Sequence, residues 1–461
     1  MSYGVEPLRV RIAYIGGGSR GWARNLMRDL ALCPDLCGEV ALYDVDEESA
    51  ALNERLGNSL AGRSDVVSQW RYRAVPLVDQ ALRGADFVII SIQPGPLTCM
   101  EREVAIAERY GMFFPVGDTT GAPGLMRSLR SVLIYEGLAH AIAEHCPEAW
   151  IINYTNPMAV CTRTLTRVEP GLKAFGCCHE VFGSQQMLAF LAAEQLEMDT
   201  PPARQEVQIN VLGINHFTFI DRAHYCGHDL LAMLRRHIET PGTLRRCTQA
   251  EVEGWGSWFR DASQVKFELF RRWGVLPAAG DRHLVEFVPG FTRSPEELFR
   301  WGVIRTPISY RIQRWVDARE ETLDVLEGRA HFELYASGEE GVQQMRALMG
   351  LSEFVTNVNL ANVGQIDNLP RGAVVETNAH FGRNRVRPLV AGTLPPGPHG
   401  LVARHVANQE TIIEAALRRD KDLAFQAIYN DPANRLPVDE TWAMFVEMLE
   451  ATREALPGFP V

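Results

Sequence analysis

The sequence predicts an α/β protein in which a Rossmann-type doubly wound parallel sheet is followed by an α+β second domain. Short apolar runs rich in β-branched residues alternate with longer helical patterns over about the first 200 residues. A glycine-rich turn follows the first of these runs directly. Farther along the chain the alternation stops, and strand and helix patterns follow one another irregularly. These three observations predict the two-part architecture.

The first part contains five apolar runs that predict strands, at residues 10–15, 40–43, 86–92, 150–154 and 173–177. Helical patterns lie between and after them, at 22–32, 126–144, 158–167 and 183–196. The third of these helices starts directly after Pro157, where proline is favoured. The order of elements is that of a parallel sheet with crossover helices.

A turn-rich joint, Asp-Thr-Pro-Pro at 199–202, predicts a domain boundary, which gives domains 1–200 and 201–461. The second domain contains one predicted strand and four predicted helices, at 205–212, 251–273, 308–327, 339–349 and 411–428. We see no repeats and no low-complexity tracts.

Composition narrows the class of protein. A formal net charge of -11 over 461 residues disfavours nucleic acid as a partner. No apolar stretch is long enough to predict a membrane span, so we expect no membrane association. The first residues lack the pattern of a secretion signal, and nine cysteines without one predict reduced thiols. We therefore expect a cytoplasmic protein.

The first strand runs into Gly-Gly-Gly-Ser-Arg-Gly at 16–21 and then into a helix, which matches the dinucleotide pattern G-x-G-x-x-G. Gly16 permits a tight turn, and Gly18 lets the backbone approach a pyrophosphate. Ser19 and Gly21 lie where the next helix begins, and the free N–H groups of a helix N-terminus attract an anion. We predict that Gly16, Gly18, Ser19 and Gly21 contact the cofactor.

Two more cofactor contacts are predicted at the ends of later strands. Asp44 follows the second strand, where a carboxylate accepts hydrogen bonds from ribose hydroxyls and repels a 2′-phosphate. The expected cofactor is therefore NAD rather than NADP. Gln93 follows the third strand, at the sheet edge where ligands bind in such folds.

A possible metal site combines two further segments. Cys178 and His179 follow the fifth strand, and Asn215 and His216 follow the strand predicted in the second domain. A thiolate and an imidazole from two strand ends can bind a divalent metal and leave positions for substrate oxygens. A buried thiol and a hydrogen-bonded histidine fit the same spacing, so both interpretations stay open on spacing alone.

Several segments in order resemble glycoside hydrolase family 4, the NAD- and metal-dependent glycosidases, over nearly the whole chain. After the glycine-rich turn these are GDTTG at 117–121, NYTNP at 153–157, GCCH at 176–179, GINH at 213–216 and NVGQIDNLP at 362–370. The resemblance implies that Cys178 and His216 bind manganese together with sugar hydroxyls.

The same resemblance implies roles for other residues. Substrate contacts are expected from Asp118, Asn156, Asn215 and Arg282. The segment 279–283 is similar to the region that carries the catalytic base in relatives, and Asp281 is the candidate there. His179 stands where many relatives carry an acidic or amide residue, and it is the candidate for the leaving-group acid. A homodimer or homotetramer is implied by the resemblance alone.

The resemblance also implies an unusual reaction. NAD oxidises carbon 3 of the sugar, a base removes the proton at carbon 2, the aglycone is eliminated, water adds, and carbon 3 is reduced again. Segments 177–183 and 277–283 look most like the α-galacturonidase branch, which acts on unphosphorylated sugars. A phosphate would be repelled by Asp118, and Arg127, Arg130 or Arg282 could hold a substrate carboxylate.

Other functions fit part of the sequence. An α-glucosidase or α-galactosidase of the same family is the nearest alternative. A 2-hydroxy-acid dehydrogenase of the lactate and malate type would use the same N-terminal fold with a His–Asp pair, a substrate arginine and no metal. A non-catalytic NAD sensor would bind the nucleotide without turnover.

Overall fold

The structure is a computed structural model that describes residues 6–460. Its largest sheet contains parallel strands from the first part of the chain: β1 (Leu8–Ile15), β2 (Leu36–Tyr43), β3 (Trp70–Ala74), β4 (Phe87–Ile90), β5 (Trp150–Asn153) and β6 (Lys173–Gly176). They lie in the order β3-β2-β1-β4-β5-β6, which is the doubly wound order of the Rossmann fold. The predicted fold class is confirmed.

Helices cover both faces of these strands. They are α1 (Trp22–Ala31), α2 (Glu47–Asn58), α3 (Val78–Leu82), α4 (Leu97–Arg109), α5 (Gly121–His145), α6 (Met158–Val168) and α7 (Glu180–Gln195). In β1, Ile12 and Tyr14 belong to one apolar core and Ala13 and Ile15 to another. A strand buried on both faces explains why its sequence is a continuous apolar run rather than an alternating one.

The second part of the chain contributes strands to two sheets. A small antiparallel sheet contains β7 (Gln208–Ile214), β8 (Phe217–Tyr225), β9 (His228–Asp229) and β10 (Leu276–Pro277). Three further strands extend the large sheet beyond β6: β11 (Phe354–Ala361), β12 (Val374–Gly382) and β13 (Arg385–Pro388). Because β11 pairs antiparallel with β6, at Asn359 and Gly176, the large sheet contains strands from both sides of residue 200.

The helices of the second part are α8 (Leu230–Glu239), α9 (Gln249–Glu253), α10 (Gln264–Trp273), α11 (Asp281–Phe287), α12 (Pro295–Arg300), α13 (Ile308–Leu326), α14 (Gly341–Leu348), α15 (Pro396–Arg418), α16 (Lys421–Tyr429) and α17 (Val438–Ala451). The continuous helix predicted at 251–273 is wrong, because a loop separates α9 from α10. The helix predicted at 411–428 is interrupted at Arg419, which has a left-handed φ of 58°, and Asp420 caps α16.

The last three helices pack on the first part of the chain. Side chains of α15, α16 and α17 share one apolar core with α4, α5 and α6. Within residues 6–460, every helix is too short or too polar to cross a bilayer.

Candidate active site

The glycine-rich turn brings the backbone into close contact with neighbouring strand ends. Gly16 has a φ of +95°, and a Cβ there would lie 2.1 Å from the carbonyl oxygen of Ser91. A Cβ on Gly18 would lie 3.0 Å from Oδ2 of Asp44. Only glycine fits at position 16 without displacing the backbone of Ser91. The turn therefore has the form that a nucleotide-binding backbone needs.

The structure places the other predicted cofactor residues around this turn. Asp44 follows β2, and its Oδ2 accepts a hydrogen bond of 2.8 Å from the N–H of Gly18. The N–H of Ser19 donates to the carbonyl of Gly16, and Gly21 precedes α1. Gln93 follows β4, and its buried Nε2 has no hydrogen-bond partner among the described residues. Polar groups thus surround the turn.

A second group of side chains converges near the N-terminus of α5. The potential ligand atoms of Asp118, His216 and His283 all lie within 4.8 Å of one another. They come from the loop before α5, from the two-residue turn between β7 and β8, and from α11. We call these three residues the His–Asp cluster. Asp118 and His283 are partly exposed, so solvent reaches the cluster.

His216 is held tightly in a neutral form. Its φ of 63° lies in the left-handed region, which is uncommon for a residue other than glycine. Its Nδ1 lies 2.9 Å from Oγ1 of Thr119, and its ring stacks on His283 at 3.8 Å. Burial and the neighbouring His283 lower the pKa of His216 to about 3. A neutral imidazole whose Nδ1 is engaged has Nε2 left for a metal.

Opposite charges surround the other two members. Burial would raise the pKa of Asp118, but the nearby His283 lowers it below its ordinary value. Burial would lower the pKa of His283, but Glu180 raises it above the ordinary value. Nε2 of His283 lies 3.5 Å from Oε1 of Glu180, whose Oε2 accepts from the N–H of Gly280. The cluster therefore contains an ionised carboxylate beside an imidazole whose protonated form is favoured.

The adjacent cysteines occupy different environments. Cys177 is buried, and its thiol donates to Oε1 of Gln344 at 3.0 Å. Cys178 is partly exposed and interacts with the side chain of Asn215. Burial raises the pKa of the Cys178 thiol. Cys178 is thus next to the turn that carries His216, although its sulfur is not one of the three converging ligand atoms.

Two asparagines present free acceptors. The Oδ1 atoms of Asn156 and Asn215 are buried and have no hydrogen-bond partner within the described chain. Nδ2 of Asn215 donates to Oε2 of Glu376 at 3.2 Å, and burial raises the pKa of Glu376 to about 7. The backbone carbonyl of Asn156 accepts from Nε of Arg127. The side-chain amide of Asn215 is thus fixed through its nitrogen, and each asparagine keeps a buried oxygen that can accept a hydrogen bond from a ligand.

Asp281, the residue predicted as the catalytic base, points toward the start of α10 and away from the His–Asp cluster. Its side chain is 1% exposed, and its two oxygens accept from the N–H groups of Val265 and Lys266 at 3.0 and 2.8 Å. It therefore stabilises the N-terminus of α10. Side chains two positions apart on a helix point about 200° apart, so His283 reaches the cluster while Asp281 faces away.

His179 lies toward the nucleotide side of the site. Its Nδ1 is 3.2 Å from Oε1 of Glu339, and its ring stacks on Trp22 at 5.7 Å. The hydrogen bond that His179 donates to Glu339 raises the pKa of His179. Trp22 is the first residue of α1, directly after the glycine-rich turn. This position is between the turn and the strand end that carries Cys178.

The three arginines considered for a substrate carboxylate differ in what they already bind. Arg130 is fully buried in an ion pair with Glu103, and its Nη2 lies 3.0 Å from Oε2. It has no group left for a substrate. Arg127 is engaged with Asn156, and Arg282 donates from Nη2 to the hydroxyl of Thr306. Of the three, Arg282 keeps a buried Nε without a partner among residues 6–460.

Fold and site together define a class of protein: an enzyme with a dinucleotide-binding sheet and a compact site of histidine, cysteine and carboxylate side chains. Comparison with known proteins agrees. The family description "Family 4 glycosyl hydrolase" matches residues 11–194, and the description of its C-terminal domain matches residues 211–434.

The chain covers nearly the whole length of several relatives. An α-galacturonidase from Thermoanaerobacterium saccharolyticum is 47% identical, over 98% of this chain and 97% of its own. The crystal structure of lplD from Bacillus subtilis is 48% identical, covers 96% of this chain and 100% of that one, and has a TM-score of 0.90. The structure of a 6-phospho-α-glucosidase from gut microorganisms, in complex with NAD and Mn2+, is 18% identical and has a TM-score of 0.79. The match covers 98% of this chain and 100% of that one.

The chain belongs to family 4 of the glycosyl hydrolases. The family predicted from the motifs is confirmed, and so is the prediction of a glycoside hydrolase.

Proposed function

We propose that this enzyme hydrolyses α-galacturonides and uses NAD and manganese. One observation carries the proposal: residues suited to nucleotide, metal and sugar follow the carboxyl ends of neighbouring parallel strands. Asp44 follows β2, Gln93 follows β4, Asn156 follows β5 and Cys178 follows β6, all at the same edge of the sheet as the glycine-rich turn after β1. Ligands bind at this edge in open α/β sheets. The α-galacturonidase of 47% identity supports the substrate.

The residues of the site fit both NAD and a metal ion. The close approach of strand ends around Gly16 and the unpartnered Nε2 of Gln93 suit a dinucleotide. A neutral His216 with Cys178 beside its turn suits a divalent metal ion, and the 6-phospho-α-glucosidase solved in complex with Mn2+ supports manganese as that ion. Bound NAD would supply reversible oxidation at a sugar carbon, and the metal would polarise the oxygen there.

The chain itself would position the sugar and move its protons. Asn156 and Asn215 would accept hydrogen bonds from sugar hydroxyls through their unpartnered oxygens. We assign Asp118 as the base for the proton at carbon 2, because it is ionised and belongs to the cluster. One of its oxygens accepts from Thr119, and the other accepts no hydrogen bond within residues 6–460. His179 stays our candidate for the leaving-group acid.

The mechanism is tested with substrate deuterated at carbon 2. A nitrophenyl α-galacturonide, assayed with NAD, manganese and a reductant, should give product that has lost this deuterium to water, because the base exchanges the proton before water adds. Asp118→Asn should suppress the exchange by roughly 100-fold, since an amide cannot accept the proton at neutral pH. Product NMR and mass spectrometry measure it.

Asp281→Asn is the matched control for that experiment. It should lower thermal stability through the N-terminus of α10 and leave the ratio of exchange to turnover unchanged. Full retention of deuterium by the wild-type enzyme would contradict the mechanism. Cleavage of a neutral α-galactoside or α-glucoside but of no galacturonide would contradict the proposed substrate.

A further prediction concerns cofactor choice. Asp44→Ala should narrow the preference for NAD over NADP by roughly 10-fold or more, because the carboxylate would face the 2′-phosphate with like charge. Fluorescence titration with both nucleotides measures the two affinities. Glu47→Ala, which removes an exposed carboxylate in the first turn of α2, is the control. Equal affinities of the wild-type protein for NAD and NADP would refute the role of Asp44.

We also propose that the enzyme works in the cytoplasm as a homodimer or homotetramer. The described cysteines are all free thiols, which is typical of a reducing compartment. Size-exclusion chromatography with light scattering measures the oligomeric state.

A further inference from the structure

We propose that Arg282 and Arg311 together bind the carboxylate at carbon 6 of a hexuronide and thereby select this substrate over neutral sugars. We call them the arginine pair. The inference rests on the proposed function and assigns its substrate preference to two side chains. Arg311 lies in the first turns of α13 and belongs to none of the motifs that define the family resemblance.

Each guanidinium group donates one hydrogen bond to the protein, in both cases from Nη2. Arg282 donates from Nη2 to Thr306, and its guanidinium lies 4.9 Å from the centre of the Phe259 ring. Arg311 donates from Nη2 to the carbonyl of Val116 at 3.4 Å. The Nε atoms of both are buried and have no hydrogen-bond partner in the described part of the chain. Nε and Nη form the edge that binds a carboxylate with two parallel hydrogen bonds.

The two arginines lie close to one another and to the His–Asp cluster. Arg282 donates to Thr306, whose N–H donates to the carbonyl of Pro115, and Arg311 donates to Val116, two residues before Asp118. After burial, the charge of Arg311 also lowers the pKa of Arg282. Arg311 also acts on the pKa of Asp118, and Asp118 acts on that of Arg282. The arginine pair is therefore at the border of the proposed sugar site, where a substituent of the ring would reach it.

Three neighbouring arginines are held in ion pairs, whereas the buried Arg127 has none among the described residues. On the same helix, Arg314 is bound to Asp317 and Glu321, and Arg319 is bound to Glu48. Arg305, between the two members of the pair in sequence, is bound to Glu108. For Arg282 and Arg311, no ion pair within 4.0 Å is formed inside residues 6–460. A partly buried cation without an anion is costly, so a bound anion is the simplest reason for keeping two of them.

The surroundings favour a carboxylate over a phosphate. A carboxylate is planar, carries one charge and matches the guanidinium fork. A phosphate of nearly two charges would also meet the ionised carboxylates of Asp118 and Glu180. Like charge at that distance discriminates against the more highly charged group.

The test compares binding with turnover. Arg311→Met and Arg282→Met keep an apolar stem and remove the fork, and Arg314→Met is the matched control on the exposed side of α13. Calorimetry on the enzyme with NAD and manganese gives affinities for galacturonate and galactose. Each variant of the pair should bind galacturonate roughly 100-fold more weakly and galactose within about 3-fold of wild type. Arg314→Met should change neither.

Turnover of nitrophenyl α-galacturonide and α-galactoside is measured on the same proteins. Arg311→Lys keeps the charge without the fork, and it should recover only part of the galacturonate affinity. Circular dichroism and NAD titration verify that each variant is folded. If a methionine variant is unfolded, two other measurements test whether the arginine pair selects galacturonate. They are the affinities of Arg311→Lys and the ratio of galacturonate to galactose affinity in the wild type.

The outcomes separate the arginine pair from the proposed function. Galacturonide cleavage by the wild type with unchanged selectivity in folded variants of the pair would overturn the arginine pair and leave the proposed function standing. Arginine-dependent binding of galacturonate without galacturonide cleavage would support the pair and refute the proposed function. Equal wild-type affinity for galacturonate and galactose, or equal losses for both sugars in the variants, would overturn the pair.

Discussion

Cys178→Ser and His216→Ala should each lower manganese-dependent turnover by roughly 1000-fold or more while NAD affinity stays within about 3-fold of wild type. Each substitution removes a side chain suited to the metal. NAD affinity should persist because the nucleotide turn lies at other strand ends. The hydrogen bonds of Gly16, Gly18 and Asp44 involve neither Cys178 nor His216. Steady-state kinetics across a manganese titration, with nucleotide binding followed by fluorescence, measure both effects. A chelator should abolish wild-type turnover reversibly.

Cys177→Ser is the control for this prediction. Cys177 donates to Gln344 in the sheet interior, and a serine hydroxyl can keep that hydrogen bond. Successive residues of an extended chain face opposite sides, so only one of the two cysteines can face the site. A severe loss of activity in Cys177→Ser together with a mild effect of Cys178→Ser would show that the register is wrong by one residue.

Arg130→Met should destabilise the fold by about 3–5 kcal/mol, because it leaves Glu103 buried without its partner. Both side chains are almost fully buried, at 1% and 0% exposure. In the double variant Arg130→Met with Glu103→Leu, most of the lost stability should return. Urea unfolding followed by circular dichroism measures these differences. Arg109→Met, which breaks an exposed pair with Glu447, should cost less than about 1 kcal/mol.

The pH dependence of the Arg130→Met variant has a definite sign. Burial raises the pKa of Glu103 even beside Arg130, and loss of the arginine removes the charge that opposes this. The folded variant then binds a proton that the unfolded chain releases above the ordinary glutamate pKa. Its stability must therefore fall as the pH rises beyond that value. The stability deficit of Arg130→Met relative to wild type should be smaller at pH 5 than at pH 8, and a larger deficit at pH 5 would contradict a buried Glu103 charge.

The nucleotide half could be predicted well because its signals are local. β1, the glycine-rich turn and α1 follow one another without interruption, and each has a clear pattern. β11 could not be predicted in the same way. Asn357 and Asn359 are buried in it, at 5% and 0% exposure, and two buried amides interrupt its apolar pattern. Their partners, Glu376 and the sulfur of Met158, are distant in sequence.

The site shows the same division between local and distant information. The sequence predicts that the segment 279–283 belongs to the site. It does not show which of Asp281 and His283 faces the site, because that depends on the direction in which α11 presents each side chain. Arg311 lies outside every motif, and only the packing of α13 brings it beside Arg282 and Asp118. A single sequence contains no local signal for such a contact.

The pairing of β6 with β11 has a consequence for folding during synthesis, because the two strands are far apart in the sequence. A ribosome makes the amino-terminal strands first, so β6 emerges long before β11 exists to pair with it. Until then β6 is an open edge with unpaired N–H and C=O groups, the kind of surface on which chains aggregate. Nascent protein should depend on chaperones most during this interval, and a fragment ending near residue 200 should be recovered mainly as aggregate.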